Sequence, residues 1–237
     1  MKRKSIYILL CVVLIITIAG GILLKKTVLS GEDNLSYTVK KTLEIEKSNN
    51  SNIIAKVDGI PIYKKDLDIA ELYEKVRFNN QAKLGVITKQ NILVTPYQKT
   101  KKELLDELIE RKVLVESAKK EGYFVSKEEA EAYFNNVKTT IDDVLSGKIK
   151  GDIESAKQAK ELLDLYKTQL SENEFNEKVI GAYQEILTIS KYLKAKADEY
   201  MKEHPNATPD EVKKFINDFK KKVKSNSKIE IINSELQ

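Results

Sequence analysis

A stripe of apolar residues in the C-terminal half of the chain restricts its fold more than any other feature. Between residues 175 and 200, these side chains recur at steps of four and three: Phe175, Val179, Ala182, Ile186, Ile189, Leu193, Ala197 and Tyr200. The spacing places them on one face of a helix about 40 Å long, and that face needs an apolar partner along its length. The preceding helix, joined by a short turn, is the predicted partner, so we expect a helical hairpin or arm.

The rest of the chain is also predicted to be mainly α. With 9 Gly and 4 Pro in 237 residues, it lacks the many tight turns that β-sandwiches and barrels require. Helix starts are predicted at Asp66, at Thr95-Pro96, at two capping boxes that join Ser126 to Glu129 and Ser171 to Glu174, and at Thr208-Pro209.

Two short strands are predicted at the ends of the helical body. Residues 53–57 form the first, and the Asp58-Gly59 turn leads to a return arm over 60–63. Pro61 has no backbone N–H, so this return arm must lie at a sheet edge. Residues 228–232 alternate as a terminal strand. Because few other strands are available, we predict that residues 53–57 pair with 229–232 and close the domain from both termini.

An uncharged apolar run of 20 residues, 5–24, predicts a membrane-spanning helix about 30 Å long. Basic residues precede it at positions 2–4 and follow it at 25 and 26. We interpret it as an uncleaved signal anchor, and a cleaved signal peptide is the alternative. The excess of positive charge before the run favours the N-terminus inside and the body outside. Lys far outnumbers Arg, which is typical of an AT-rich genome and indicates a bacterium. Together with the apolar run, this predicts a single-pass bacterial membrane protein with an extracytoplasmic body.

The charge distribution argues against nucleic-acid binding. The net charge of +5 comes from the five basic residues that flank the apolar run, and no acidic residue precedes Glu32. Residues 27–237 therefore have no formal net charge, whereas a nucleic-acid binder normally carries a basic field on its body. The membrane, through residues 5–24, is the partner that this charge pattern predicts.

The chain divides into three predicted parts. Residues 1–26 form the signal anchor or transmembrane helix, residues 27–52 a flexible tether, and residues 53–237 the helical body. The tether is polar and charged and ends in the turn-rich sequence KSNNSN.

No residue pattern predicts catalysis, cofactor binding or a metal site. The chain contains no phosphate-binding glycine loop, dinucleotide motif, HExxH sequence or nucleophile elbow. Its one His, His204, stands beside Pro205 at a predicted helix end, where a cation interacts favourably with the helix dipole. Its one Cys, Cys11, lies within the apolar run. A single Cys excludes a disulfide framework.

Four segments carry a family resemblance: residues 54–62 (IAKVDGIPI) followed by Asp66, residues 104–114 (LLDELIERKVL), residues 118–122 (AKKEG) and residues 125–129 (VSKEE). In this order they resemble the N-terminal domain of the SurA/PrsA-type family. The resemblance implies an exported chaperone or foldase that cradles unfolded chains, often with a parvulin-type prolyl isomerase domain inserted before the last helix. Here residues 141–208 are predicted to be helical throughout, so we expect the parvulin domain to be missing and no enzyme activity.

The resemblance leads to a predicted function. The protein is expected to bind unfolded or newly exported polypeptides without ATP or a cofactor. Aromatic residues that line a broad groove would hold them, and the candidates are Tyr73, Phe78, Tyr123, Phe124, Tyr133 and Phe134. The alternative for each of them is a place in the core. One alternative is a structural or adaptor protein that binds a defined partner through its long helix, and another is a divergent peptidyl-prolyl isomerase.

Overall fold

Seven helices and one small sheet make up the part of the chain that the computed structural model describes, residues 35–48, 52–87 and 97–232. In chain order the elements are α1 (Leu35–Lys47), β1 (Ile53–Val57), β2 (Ile60–Tyr63), α2 (Lys64–Ile87), α3 (Lys101–Lys120), α4 (Lys127–Leu145), α5 (Ile153–Gln169), α6 (Glu172–Glu203), α7 (Pro209–Ser225) and β3 (Ile229–Ile231). The prediction of a mainly α protein is confirmed.

The sheet joins the two ends of the body, as the sequence predicts. Its strand order is β2-β1-β3, and both pairings are antiparallel. Lys56 of β1 faces Glu230 of β3. The hairpin turn between β1 and β2 is tight because Asp58 and Gly59 both have positive φ, 50° and 84°. Pro61 lies on the edge strand β2, where its missing N–H costs no ladder bond.

Capping residues set the helix starts. The predicted boxes at Ser126 and Ser171 form, and Thr208 caps α7 with Pro209 in its first turn. Helix α3 begins later than predicted, since Thr100 is its N-cap and forms a box with Glu103. The predicted start at residues 95 and 96 lies outside the described residues.

Helix α1 corrects the prediction of a flexible tether over 27–52. Leu35, Val39 and Leu43 recur every four residues, and all three are buried against helices α2 and α5. These three side chains suffice to hold one face of a helix in the core, although the segment around them is polar. Residues 27–34 and 49–51 of the predicted tether lie outside the described ranges.

The partner of the long helix α6 also differs from the prediction. It packs principally against α4 and α3, and much less against the preceding helix α5. Phe134 of α4 contacts Phe175 and Tyr183 of α6, with ring centroids 6.2 and 5.3 Å apart. Helix α5 instead buries its apolar face against α1 and α4. A hairpin of α5 and α6 was therefore the wrong pairing.

Two larger cores meet at helix α2, and a smaller cluster of Leu114, Ala118 and Tyr192 lies between α3 and α6. A helical core lies among α1, α2, α4, α5 and α6, and a sheet core lies between the sheet, the start of α2 and one face of α3. Helix α2 belongs to both, because Leu67 packs in the sheet core and Tyr73 and Val76 in the helical core. The space between α2 and α3 thus lies where the two cores meet.

Helix α7 docks on the outside of α3 and α6. It has no buried residue, and its apolar side chains are only half-buried. Phe219 meets Tyr192 of α6 edge-on, with ring centroids 5.4 Å apart. Lys220 pairs with Glu110 of α3 at 3.0 Å, and Lys224 pairs with Asp106. Ion pairs and partial apolar contact together hold this helix.

Within the described ranges, no helix combines the length and the apolarity needed to cross a bilayer. The predicted anchor over residues 5–24, which includes Cys11, lies outside those ranges.

Candidate binding groove

The six aromatic residues predicted to bind clients do not form one surface. Tyr73 and Phe134 are buried in the helical core, with 7% and 2% of their surfaces exposed. Tyr123 packs on Tyr192, and Tyr133 on Tyr183, so both are half-buried. Phe78 is half-exposed on α2, and Phe124, at 49%, is the one of the six that is largely exposed. Most of this set therefore stabilises the fold.

A cleft of about 600 Å³ opens instead between α2, α3 and the edge strand β2. Its floor is aliphatic and is formed by Ile62, Ile69, Ala70, Leu104, Leu108 and Val115. Three of these residues lie on one face of α3 at steps of four and seven, because helical side chains recur at that spacing. The apolar surface that the floor exposes comes mainly from Ile69, Ala70 and Leu108, which are half-buried, so it has little aromatic character.

A second cavity of about 240 Å³ adjoins the cleft and lies between α1, α2, α5 and α6. Ile69, Tyr73 and Arg111 line both spaces. The walls of the smaller cavity are mostly apolar and include Leu162, Leu163, Val179 and Ala182. We call the cleft and this cavity together the groove. Of the six predicted aromatic residues, Tyr73 is the one that lines it.

Ion pairs border the cleft. Arg77 pairs with Glu74 on α2 at 2.5 Å, and Lys99 pairs with Glu107 of α3 at 2.5 Å. Arg111 of α3 reaches across to Glu185 of α6 at 2.6 Å, and both side chains are nearly half-exposed. The third pair therefore links α3 to α6, and Arg111 lines both the cleft and the smaller cavity.

Glu74 fixes the end of the cleft. Its carboxylate is buried, accepts from the Arg77 guanidinium and also accepts from the Lys99 backbone N–H at 2.7 Å. Burial alone would raise the pKa of Glu74, but these hydrogen bonds outweigh it and hold the pKa below its ordinary value. Arg77 also donates to the Tyr97 carbonyl at 2.7 Å. The segment before α3 is thereby attached to α2.

A buried hydroxyl cluster supports the smaller cavity. The Tyr73 and Tyr166 hydroxyls lie 3.0 Å apart, and the Thr42 hydroxyl, which donates to the Thr38 carbonyl at 2.8 Å, lies 3.4 Å from the Tyr73 hydroxyl. Burial raises the pKa of both tyrosines, so both stay protonated and neutral at physiological pH. The cluster joins α1, α2 and α5 through neutral hydrogen bonds, which is a structural role.

Tyr166→Phe is expected to lower the free energy of unfolding by about 1 kcal/mol, because the Tyr73 hydroxyl loses a buried partner. Urea denaturation of the purified protein measures the change. Tyr37→Phe is the matched control, since Tyr37 is 38% exposed and its change should stay within about 0.5 kcal/mol. Equal effects of the two substitutions would contradict a stabilising cluster.

The comparisons with known proteins identify the family. The chain matches the model of the SurA-like N-terminal domain over residues 3–163. It belongs to the SurA-like N-terminal domain family. This family is of the chaperone type, which supports a chaperone-like protein. Neither the curated proteins nor the solved structures gave a match.

The SurA-like match covers the helices that form the cleft, but only part of the helices that line the smaller cavity. Helices α2 and α3, which form the cleft, lie inside residues 3–163. Glu185 and the α6 residues of the smaller cavity lie beyond it. The groove of this SurA-like chain is therefore completed by a helix outside the matched region.

Outside the groove, His204 of the SurA-like chain has a structural role. Within residues 35–48, 52–87 and 97–232, no cluster of His, Cys, Asp and Glu has the arrangement of a metal site. His204 is the C-cap of α6, as its position beside Pro205 predicts. Its ring stacks on Tyr200 at 4.3 Å, and its Nδ1 lies 3.0 Å from the Tyr200 carbonyl oxygen. This geometry serves the end of the helix.

Proposed function

We propose that this SurA-like protein is a membrane-anchored extracytoplasmic chaperone that binds unfolded or newly exported polypeptides. Residues 5–24 would anchor it, with the body on the extracytoplasmic side. It would work without ATP, a cofactor or isomerase chemistry. The observation that carries the proposal is the groove, which joins an aliphatic floor to an ion-paired border at the meeting point of the two cores.

The chemistry of the floor suits broad and reversible binding. Contact with aliphatic side chains is non-directional and depends on the apolar area removed from water, so diverse sequences can use it. The cleft is open along one side, and about 600 Å³ is space for several side chains of an extended segment. The paired border charges add little preference for strongly charged chains.

Anchoring would place the groove near the membrane. Helix α1 begins at Leu35, so at most ten residues separate it from the predicted anchor. Fully extended, these residues span about 35 Å. A polypeptide emerging from the membrane would thus meet the body close to the surface.

The test is suppression of aggregation by the full chain in lipid nanodiscs, with empty nanodiscs as the blank. Two unrelated unfolded proteins serve as clients. We expect protection of both near equimolar ratio, whereas protection of neither would overturn the chaperone proposal. An assay of prolyl-peptide isomerisation with the same sample checks the absence of catalysis, and measurable activity would favour the isomerase alternative.

Leu108→Glu is expected to remove most of the protection, because it places a carboxylate on the apolar floor. Leu108 is half-buried, so Leu108→Gln is the milder version if the charged one unfolds. Ile153→Glu is the matched control, since Ile153 is 50% exposed at the start of α5 and lies outside the groove. Equal protection by the Leu108 and Ile153 variants would show that clients bind elsewhere.

A second candidate function is that of an adaptor for one defined partner. It is favoured by an arm that consists of the end of α6 and all of α7. Between Tyr192 and Ser225, all of which the structure describes, no residue after Tyr192 is buried. The apolar side chains of the arm are half-open, and Met201 is 41% exposed. A single stoichiometric complex isolated by cross-linking, with no protection of unrelated clients, would support this function instead.

A further inference from the structure

The cleft is lined by four carboxylates and four cations, so its formal charges balance, but one cation has no ion pair among the described residues. The four carboxylates that line it are all engaged within the fold. Glu74, Glu107 and Glu185 form the border ion pairs, and Asp66 accepts from the Tyr63 backbone N–H at 2.9 Å. Three of the four cations, Arg77, Lys99 and Arg111, occupy those pairs.

Lys112 is the fourth cation. It lines the cleft and is half-buried, and its side chain has no ion pair or hydrogen bond with any residue that the structure describes. Because Lys112 is partly buried as a residue, a carboxylate beside its ammonium group would be less exposed to water than at an open surface, and the ion pair would gain more. Lys112 is therefore the cleft cation whose ammonium group is available to a bound carboxylate.

The neighbours of Lys112 define what surrounds such a carboxylate. Leu108 lies four residues before it and Val115 three residues after it, so the three side chains follow one face of α3. Arg111, the residue before Lys112, lines both the cleft and the smaller cavity. An anionic group at Lys112 would thus lie beside the half-buried Leu108 and the aliphatic floor around it.

We infer that the groove prefers unfolded segments in which large apolar side chains flank an acidic residue, and that Lys112 binds this carboxylate. This inference rests on the proposed chaperone function and adds a specificity to it. The ammonium group of Lys112 donates to the carboxylate while the flanking side chains cover Leu108 and the aliphatic floor around it. Long-range attraction contributes little, since residues 27–237 have no net charge.

The test compares two fluorescein-labelled peptides of twelve residues with the same leucine-rich core, one with two central Glu and one with two central Lys. Fluorescence anisotropy with the full chain in phosphatidylcholine nanodiscs measures the dissociation constants. We expect the Glu peptide to bind about fivefold more tightly, the effect of one half-buried ion pair. Lys112→Glu should abolish or reverse this preference.

Lys102→Glu is the matched control because it makes the same charge change on α3 at an exposed residue that does not line the cleft. It should keep the preference of the unmodified protein. If both peptides bind equally, or if Lys112→Glu leaves the preference intact, the specificity is overturned while the chaperone proposal stands. If the chain binds neither peptide and protects no client, both proposals fail together.

Discussion

Phe134→Ala is expected to lower the free energy of unfolding by about 4 kcal/mol. Phe134 is 2% exposed and packs on Phe175 and Tyr183, so truncation opens a cavity at the centre of the helical core. The loss combines the transfer free energy of the ring with the cost of that cavity. Urea denaturation followed by far-UV circular dichroism measures it.

Phe124→Ala is the matched control for this prediction. Phe124 is 49% exposed, with the Lys119 ammonium 5.9 Å from its ring centroid. Its truncation should change the free energy of unfolding by less than about 0.5 kcal/mol. A small loss at Phe134, or similar losses at both positions, would contradict the placement of Phe134 in the core and restore it as a candidate client-binding residue.

Deletion of residues 228–237 is expected to destabilise the body by about 3 kcal/mol. The two half-buried residues Ile229 and Ile231 pack on the sheet core, and each contributes about 1 kcal/mol. The ladder bonds of β3, such as Ile232 N–H to the Ile54 carbonyl at 2.9 Å, add about 1 kcal/mol in total. The deletion also exposes the edge of β1.

The turn residue Asp58 adds to this effect. Its carboxylate accepts from the Lys228 backbone N–H at 2.8 Å and from Lys120 of α3 at 2.7 Å. The Lys120 and Lys228 hydrogen bonds, in that order, hold the pKa of Asp58 below its ordinary value. Truncation at Ser227 removes the second of these donors.

Differential scanning calorimetry of the truncated chain should show a Tm about 9 °C lower. A chain ending at Ile232 keeps all of β3 and is the matched control, with a Tm close to that of the full chain. An unchanged melting curve after removal of 228–237, or an equal loss in the control, would refute the stabilising role of β3.

Sequence reasoning found the elements that depend on local chemistry. The capping residues Ser126, Ser171 and Thr208, the Asp58-Gly59 turn and the edge position of Pro61 all follow from interactions within a few residues. The pairing of the two terminal strands was also predictable, although they lie far apart in the chain, because few other strands compete for either one.

The sequence-based predictions that were wrong concern which helices pack against each other. The stripe on α6 indicated a long helix but did not identify its partner, and α4 and α3 take the place expected of α5. The segment around Leu35, Val39 and Leu43 is polar on average. It forms a core helix because these three side chains pack against apolar side chains of α2 and α5. Both outcomes depend on contacts between elements distant in the chain.

The groove was also hidden from sequence reasoning. Aromatic residues attracted attention because they often mark binding surfaces, yet burial of Tyr73 and Phe134 can only be decided once the helices are packed. The aliphatic floor residues, such as Leu108, have the same periodicity as core residues. Likewise, the list of charges did not distinguish Lys112 from the lysines whose partners come from other helices.

The amino-acid sequence by itself determined the helical class, the strand-turn-strand start and the family, because these depend on local propensity, capping and a recognisable order of residues. The tertiary structure alone decided which apolar side chains are buried and which are exposed. It brought Arg111 to Glu185 and left the Lys112 side chain without a partner among the residues that the structure describes. The physical reason is that burial and charge pairing belong to pairs of surfaces, and a linear pattern specifies only one surface of each pair.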